Sequence, residues 1–171
     1  EALVEMKLND FVDEVSRESP APGGGSIAAL NGALGASLSS MVANLTANRR
    51  GSEKVDDILN AAANKCQEIK STLVKAIDED TNAFNKIMEA FGLPKGSDNE
   101  KAIRTQAIQD ATKYAIEIPF KVMELCCDSM EVMLEMAKTG LEASISDAGV
   151  GALAARAGVQ GAFLNVKINT G

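Results

Sequence analysis

Asp80 is the residue of this sequence whose position is most suggestive of acid–base chemistry. The sequence predicts one long helix from about Glu53 to Phe91, and its apolar residues recur at spacings of three and four with one gap of seven. Asp80 fills that gap, so at about 100° per residue it lies on the apolar face. A carboxyl group there tends to have a raised pKa unless it is paired. The apolar face consists of Val55, Leu59, Ala62, Cys66, Ile69, Leu73, Ile77, Phe84, Ile87 and Phe91.

The periodicity alone leaves two interpretations of Asp80 open. It is either an acid or base that works near neutral pH, or a satisfied polar group of the core that hydrogen-bonds a neighbouring helix. Because the chain has no histidine, Ser-His and Cys-His nucleophiles and imidazole metal sites are excluded, and proton transfer falls to a carboxylate, lysine, tyrosine or cysteine. The cysteines, Cys66, Cys126 and Cys127, lack metal-ligand spacing, and no metal site is predicted.

A possible anion site lies where an uncharged run of residues begins. The run extends from Ser19 to Asn48 and opens with two prolines and three consecutive glycines, which predicts a bent loop leading into a helix with Ser26 as N-cap. The backbone N–H groups of Gly24 and Gly25 could bind an anion at that point. A tight entry turn explains the glycines equally well.

Cations and a further carboxylate lie near other predicted helix ends. Arg49 and Arg50 follow the uncharged run and are candidates to bind an anionic ligand; alternatively, they cap the last carbonyl groups of the helix. Asp147 precedes a predicted helix from Ala152 to about Lys167, and it either caps this helix or faces a ligand.

The uncharged run also predicts the element around which the fold is built. A helix from Ile27 to about Asn48 would have small side chains nearly all round, which favours a central helix wrapped by others. A membrane span is the competing interpretation, but the polar residues would enter lipid with little apolar compensation. The small residues are Ala28, Ala29, Gly32, Ala33, Gly35, Ala36, Ser37, Ser39, Ser40 and Ala43.

The remaining segments predict amphipathic helices around this centre. A short first helix runs from about Asn9 to Arg17 with one apolar face, formed by Leu8, Phe11, Val12 and Val15.

Two more helices are predicted in the second half of the chain. A capping box formed by Ser97 and Glu100 opens a helix that runs through about Ile118. Pro119 kinks or restarts the chain, and the next helix runs from about Phe120 to Lys138 and is closed by Gly140.

The composition sets the class of protein and of partner. The 171 residues suit one domain, and with 46% hydrophobic but only 4% aromatic residues the core must consist mainly of aliphatic side chains, as in closely packed helices. The net charge of −7 argues against nucleic acid or an anionic membrane as partner. With no visible signal peptide and a vicinal cysteine pair unsuited to a structural disulfide, a cytoplasmic location is expected.

Three segments in the same order resemble one enzyme family. The opening SPAPGGGS, the segment from Asp78 to Phe84 (a D-x-D-x-x-A-F pattern), and GAFLNVKIN at 161–169 (G-A-x-x-N-V-x-x-N), with Ser146-Asp147 between the last two, are similar to those of the formiminotetrahydrofolate cyclodeaminase and methenyltetrahydrofolate cyclohydrolase family. The resemblance covers nearly the whole chain. Family members normally continue for another helix, so the resemblance implies a single domain over 1–171 in which the last helix is missing, trimmed or not covered.

The resemblance implies an all-helical bundle, usually a dimer, that binds a folate carrying one or more glutamates and needs no cofactor or metal. It implies that Asp80, the second aspartate of its motif, is the proton acceptor. The substrate-binding residues it suggests are Gly24, Gly25, Ser26, Arg49, Arg50, Asp147, Asn165 and Asn169.

The expected activity is conversion of 5-formiminotetrahydrofolate to 5,10-methenyltetrahydrofolate and ammonia. The alternative within the family is hydrolysis of methenyltetrahydrofolate, and an alternative of another class is a non-enzymatic helical assembly module. A homodimer is expected, with a formiminotransferase domain or protein as a further candidate partner. Ammonia release from the formimino substrate would separate the first activity from both alternatives.

Overall fold

The computed structural model describes residues 2–50 and 53–170, and the part described is entirely helices and connecting turns, without a strand. The expected all-α class is confirmed. The α-helices are α1 (Leu8–Val15), α2 (Gly24–Arg50), α3 (Glu53–Gly92), α4 (Asp98–Thr139) and α5 (Ile145–Thr170), and 3-10 helices cover Leu3–Glu5 and Glu142–Ser144. The predicted break after α2 includes Gly51 and Ser52, which lie outside the described residues.

α2 is the centre of the bundle, as its small residues predict. It packs against α3, α4 and α5. Its alanines form much of the core, with Ala28, Ala29, Ala33, Ala36 and Ala43 all buried. Among the described residues, α2 is the one helix long and apolar enough to cross a membrane, and 61% of its most apolar window is buried inside the protein.

Glycines allow α2 and α5 to approach each other closely. A β-carbon on Gly35 would lie 2.8 Å from the carbonyl oxygen of Gly151, and one on Gly158 would lie 3.0 Å from the carbonyl oxygen of Ala28. The first distance is too short for a real side chain, and the second would require the neighbouring backbone to shift. Because residue numbers rise along α2 as they fall along α5, the contact is antiparallel and brings the start of α2 beside the end of α5.

Two helices begin earlier than predicted. α2 begins at Gly24, because the carbonyl of Gly23 already accepts a hydrogen bond from the N–H of Ile27 at 3.2 Å. Ser26 therefore lies inside the first turn and is not the N-cap. α5 begins at Ile145, directly after the second 3-10 helix, so Asp147 lies within the first turn of α5 and does not precede it.

Of the two alternatives at Pro119, a restart of the chain is wrong, because α4 continues through this proline as one helix. The predicted start of α4 is confirmed: Ser97 Oγ accepts from the N–H of Glu100 at 3.2 Å, and Glu100 Oε2 accepts from the N–H of Ser97 at 2.7 Å. Gly140 follows the helix as its C-cap, as expected.

The apolar face predicted for α1 is only partly correct. Phe11 is buried, but Leu8 is 76% and Val12 57% exposed. Leu3 and Met6 pack on the same core cluster as Phe11, so the segment before α1 covers the core beside this helix. Asp78 of α3 holds this segment in place, since its Oδ1 accepts from the N–H of Leu3 at 2.7 Å.

Candidate active site

A cavity of about 140 Å³ lies where the start of α2, the middle of α3 and the end of α5 meet. The loop before α2 and one residue of α4 complete its wall. Asp80 is the one ionisable residue among those that line it, and the polar lining is completed by Asn165 and Asn169. The other lining residues are Pro20, Ala21, Gly23, Gly24, Gly25, Ala83, Phe84, Ile87 and Ala115.

The carboxyl group of Asp80 lies directly against the backbone of Gly25. A β-carbon on residue 25 would be 2.6 Å from Asp80 Oδ2 and closer still to the other two carboxyl atoms. Such a contact is impossible, so glycine at this position allows α2 and α3 to bring backbone and carboxyl group together.

Two opposing effects act on the pKa of Asp80. Burial is the larger, and it raises the pKa above its ordinary value because the ionised form loses solvation. The hydroxyl and the backbone N–H of Ser26 act in the opposite direction. The expected carboxyl group with a raised pKa is therefore present, and it borders a cavity.

Ser26 lies behind Asp80 and is not part of the cavity wall. Its side chain is fully buried. Its hydroxyl donates to the carbonyl oxygen of Ile77 at 2.8 Å and lies 3.3 Å from Asp80 Oδ2. Thr81 Oγ1 is 3.3 Å from the same hydroxyl oxygen.

The two asparagines reach the cavity from successive turns of α5, with their side-chain amides held by backbone carbonyls. Asn165 Nδ2 donates to the carbonyl oxygen of Gly161 at 2.9 Å, and Asn169 Nδ2 donates to that of Ala115 at 2.8 Å. Because a carbonyl oxygen can only accept, these bonds fix which end of each amide carries nitrogen. The amide oxygen of each side chain remains available to a ligand.

The bond to Ala115 explains how α4 accommodates a proline in its interior. In a regular helix the carbonyl of residue 115 would accept from the N–H of residue 119. Pro119 has no N–H, so the carbonyl oxygen of Ala115 is free to accept from Asn169. Pro119 was visible in the sequence, but the side chain that donates to the freed carbonyl oxygen comes from another helix, α5.

Two of the candidate residues lie far from this cavity. Arg49 is exposed near the end of α2, about 38 Å along the helix from Gly24 at 1.5 Å per residue. Asp147 lies in the first turn of α5, about 27 Å along the helix from Asn165 by the same rise. The side chain of Arg50 lies outside the described residues. The structure thus brings together Asp80, Gly24, Gly25, Asn165 and Asn169, with Ser26 behind them.

Several residues of the site were missed as candidates. Phe84 and Ile87 line the cavity and were assigned only to the apolar face of α3, although their spacing from Asp80 places them on its side of the helix. Ala115 and Thr81 carried no individual signal, because their roles depend on which helices meet.

The cavity can hold a proton and orient a small polar group. In the described ranges 2–50 and 53–170, no cluster of three or more histidine, cysteine, aspartate or glutamate side chains has the arrangement of a metal site. A volume of about 140 Å³ is below the roughly 300 Å³ at which pockets for whole drug-sized ligands begin. It therefore suits the reacting part of a larger ligand.

Comparisons with known proteins identify close relatives. The profile of the formiminotransferase-cyclodeaminase family matches residues 7–171. A methenyltetrahydrofolate cyclohydrolase of Methylorubrum extorquens is 40% identical over 95% of this chain and 78% of its own length. The crystal structure of a formiminotetrahydrofolate cyclodeaminase from Thermotoga maritima superposes with a TM-score of 0.85 at 30% identity, over 97% of this chain and 79% of that protein.

Bifunctional proteins are similar over a smaller share of their length. The formimidoyltransferase-cyclodeaminase of Mus musculus is 36% identical over 99% of this chain, which spans 31% of the mouse protein. The similarity to these relatives therefore concerns about a third of each.

Proposed function

Because this chain belongs to the formiminotransferase-cyclodeaminase family, we propose that it is an enzyme of folate one-carbon metabolism that converts 5-formiminotetrahydrofolate to 5,10-methenyltetrahydrofolate and ammonia. The observation that carries the proposal is Asp80, a carboxyl group with a pKa raised by burial in the wall of a small cavity. A folate substrate is implied by the family, and the proposed mechanism uses no cofactor or metal.

The proposed reaction is a ring closure followed by loss of ammonia. N10 of the substrate attacks the carbon of the formimino group, whose imino nitrogen is protonated, so a C–N10 bond forms and N10 must lose its proton. Asp80 in its ionised form accepts this proton, then delivers it to the amino group on the same carbon. The C–N bond to that group breaks and ammonia leaves. Asp80 returns to its starting state, and a raised pKa suits a group that must both take and give a proton near neutral pH.

The neighbours of Asp80 supply orientation. In our proposal the amide oxygens of Asn165 and Asn169 accept hydrogen bonds from the N–H groups of the reacting part of the folate. Gly24 and Gly25 keep that wall of the cavity free of side chains and allow the ligand to approach the first turn of α2. The remainder of the folate extends out of the cavity.

The test measures two products, ammonia and the methenyl compound, in wild type, in one variant and in one control variant. Wild type supplied with 5-formiminotetrahydrofolate should release ammonia and form the methenyl product, detected by its absorbance. Asp80→Asn should bind folate but lose roughly 10²- to 10⁴-fold in kcat, the usual contribution of a positioned acid or base. Asp128→Asn, an exposed aspartate of α4, is the control. Near-normal turnover by Asp80→Asn would remove the assignment.

A second candidate activity is hydrolysis of methenyltetrahydrofolate, and the Methylorubrum extorquens relative bearing that name favours it. In that reaction water attacks the methenyl carbon, and Asp80 would accept a proton from the water. Running both assays on one preparation decides between the two. Absence of folate binding together with absence of either reaction would instead support a non-enzymatic module.

The candidate contacts with the glutamate tail need a second subunit or a long tail. Arg49 lies about 38 Å along α2 from Gly24 in the cavity wall, so we propose that Arg49 and Arg50 contribute only where another copy of the chain, or a polyglutamate tail, brings them to a ligand. Asp147 lies in the first turn of α5, which is likewise far from the cavity. If Arg49→Ala leaves folate affinity and its salt dependence unchanged, the arginine only caps the end of α2.

A homodimer in the cytoplasm is proposed as the working state. Large apolar side chains on the last turns of α5 are in solvent, with Leu164 65% and Ile168 76% exposed, and burial in a partner would stabilise them. Light scattering during size-exclusion chromatography measures the mass. A formiminotransferase domain or protein is a further candidate partner, and the acidic charge disfavours nucleic acid and anionic membrane.

A further inference from the structure

One buried hydroxyl group lies within hydrogen-bond distance of three oxygen atoms beside the cavity. Ser26 Oγ is 2.8 Å from the carbonyl oxygen of Ile77, 3.3 Å from Asp80 Oδ2 and 3.3 Å from Thr81 Oγ1. The side chain is 0% exposed, so water does not compete for these bonds. A hydroxyl carries one hydrogen and two acceptor lone pairs, so it cannot donate to Ile77 and to Asp80 fully at the same time.

The two protonation states of Asp80 resolve this competition in different ways. When Asp80 is ionised, it can only accept, and the Ser26 hydroxyl turns to it because a hydrogen bond to a charged acceptor is the stronger one. When Asp80 is protonated, its own O–H can donate to Ser26 Oγ, and the Ser26 hydrogen goes to the carbonyl of Ile77. The Thr81 hydroxyl can donate to Ser26 Oγ when Asp80 is ionised.

We propose that Ser26 is a positioning residue that gives Asp80 a hydrogen-bond partner in both of its protonation states, by rotating its hydroxyl between Asp80 and the carbonyl of Ile77. The proposal deepens the proposed function, since it rests on Asp80 as the group that takes and returns the proton. It also reassigns Ser26, which was expected to bind substrate. A fully buried side chain behind the cavity wall acts through Asp80 instead.

The consequence is that neither state of Asp80 leaves a buried polar atom without a partner. An unpaired buried donor or acceptor is costly. If only one protonation state of Asp80 carried this cost, the carboxyl group would remain in the other state and could not both take and return a proton. Because Ser26 favours the ionised form and burial disfavours it, removal of the Ser26 hydroxyl should shift the titration of Asp80 upward.

Few other charges face Asp80 from the elements packed around it. α2 carries no ionisable side chain before Arg49, and Lys167, the charged residue of the last two turns of α5, is exposed. From α4, Tyr114 packs beside Ala83, and its pKa is raised by burial and by the negative charge of Glu79. On α3 itself, Asp78 accepts from Leu3, Glu79 is half-buried, and Lys75 and Lys86 are exposed. On α4, Lys113 and Glu117 form an exposed pair.

The test measures the titration of Asp80 directly in the free protein. The chain is labelled with ¹³C at aspartate carboxyl groups, and the resonance of Asp80 is identified by its absence in Asp80→Asn. In Ser26→Ala its titration midpoint should move to higher pH. With substrate, the acid limb of kcat/KM should move in the same direction, with activity on that limb lower by roughly fivefold, the worth of one net hydrogen bond.

Ser129→Ala is a matched control. Ser129 is also a fully buried helical serine whose hydroxyl donates to a backbone carbonyl at 2.8 Å, that of Cys126, but it does not line the cavity. Loss of this hydroxyl should lower stability by a similar amount and leave the midpoint of Asp80 unchanged. Thr81→Val, which keeps the shape of the side chain, should produce a smaller upward shift and covers the case in which Ser26→Ala does not fold.

The outcomes separate this proposal from the proposed function. An unchanged Asp80 midpoint in Ser26→Ala and Thr81→Val overturns the role of Ser26, whatever the enzyme does. An upward shift in a protein without activity towards either folate substrate supports the role of Ser26 and rejects the reaction instead. A shift of equal size in Ser129→Ala would also overturn the proposal, because it would reveal a general loosening of the fold.

Discussion

The side chain of Asn169 donates a hydrogen bond at 2.8 Å to the carbonyl oxygen of Ala115, the acceptor that Pro119 leaves without its usual helical partner. A residue that lines the cavity is thus held by a feature of another helix. The bond also ties the end of α5 to the middle of α4, so it contributes to stability as well as to the site.

The first prediction is a coupling between Pro119 and Asn169. Asn169→Ala leaves the Ala115 carbonyl unpaired and should cost about 1–3 kcal/mol of unfolding free energy. In a Pro119→Ala background the new N–H of residue 119 can bond that carbonyl, so the same substitution should cost clearly less. Urea unfolding of the four proteins measures the difference. Costs that add within about 0.5 kcal/mol would contradict the explanation given for the proline.

The second prediction concerns Gly25. Gly25→Ala should lower stability by about 1–3 kcal/mol through overpacking, because the added methyl group overlaps the Asp80 carboxyl group. Shortening that side chain should relieve the clash, so the substitution should cost less in an Asp80→Ala background. Gly24→Ala is the control for stability, since its β-carbon would be 3.4 Å from Asn165 Nδ2, an ordinary contact. Equal costs of Gly25→Ala in both backgrounds would show that the strain lies elsewhere.

The third prediction is a pH-dependent gain in stability in Asp80→Asn. The folded-state pKa of Asp80 is raised by burial, so its stabilising contribution is present below the unfolded pKa, about 3.9, and is lost as pH rises through the folded pKa. An asparagine cannot ionise. The variant should therefore melt above wild type at high pH, by about 2–4 °C for each kcal/mol gained, and the difference should vanish in acid. A constant difference across the pH range would contradict the raised pKa.

The fourth prediction tests the close contact of α2 and α5. Gly35→Ala places a β-carbon 2.8 Å from the carbonyl oxygen of Gly151 and 3.0 Å from the backbone nitrogen of Ala155, so it should destabilise the protein by about 1–3 kcal/mol. Gly149→Ala, also in a helix but with nothing within 4 Å of the added carbon, should stabilise it by roughly 0.5–1 kcal/mol. Thermal melts of the two variants should move in opposite directions.

The sequence predicts the elements better than the contacts between them. The spacing of apolar residues in α3 was enough to place Asp80 on the inner face, because helical periodicity is a local property. The composition of α2 was enough to predict that it is the central helix. Asn165 and Asn169 of α5 were expected only from the family resemblance, and the contribution of Ala115 of α4 was not predictable, since it depends on which turns of α4 and α5 meet α3.

The helix starts were predicted less well for a related reason. Ser26 and Asp147 both suit an N-cap by residue type, and several starts within one turn of each other satisfy the local rules. The role of Ser26 depends on Ile77, Asp80 and Thr81, all more than fifty residues away. No local pattern could reveal that.

The neutral lining around the one carboxyl group has a practical consequence for inhibitor discovery. A pocket of this size with a lone acid selects small planar cations, so formamidine, acetamidine and guanidine are sensible first fragments to screen. Their occupancy should fall as the pH is lowered and Asp80 takes up a proton, and a fragment that grows outwards from this anchor would meet the two amide oxygens of α5 next.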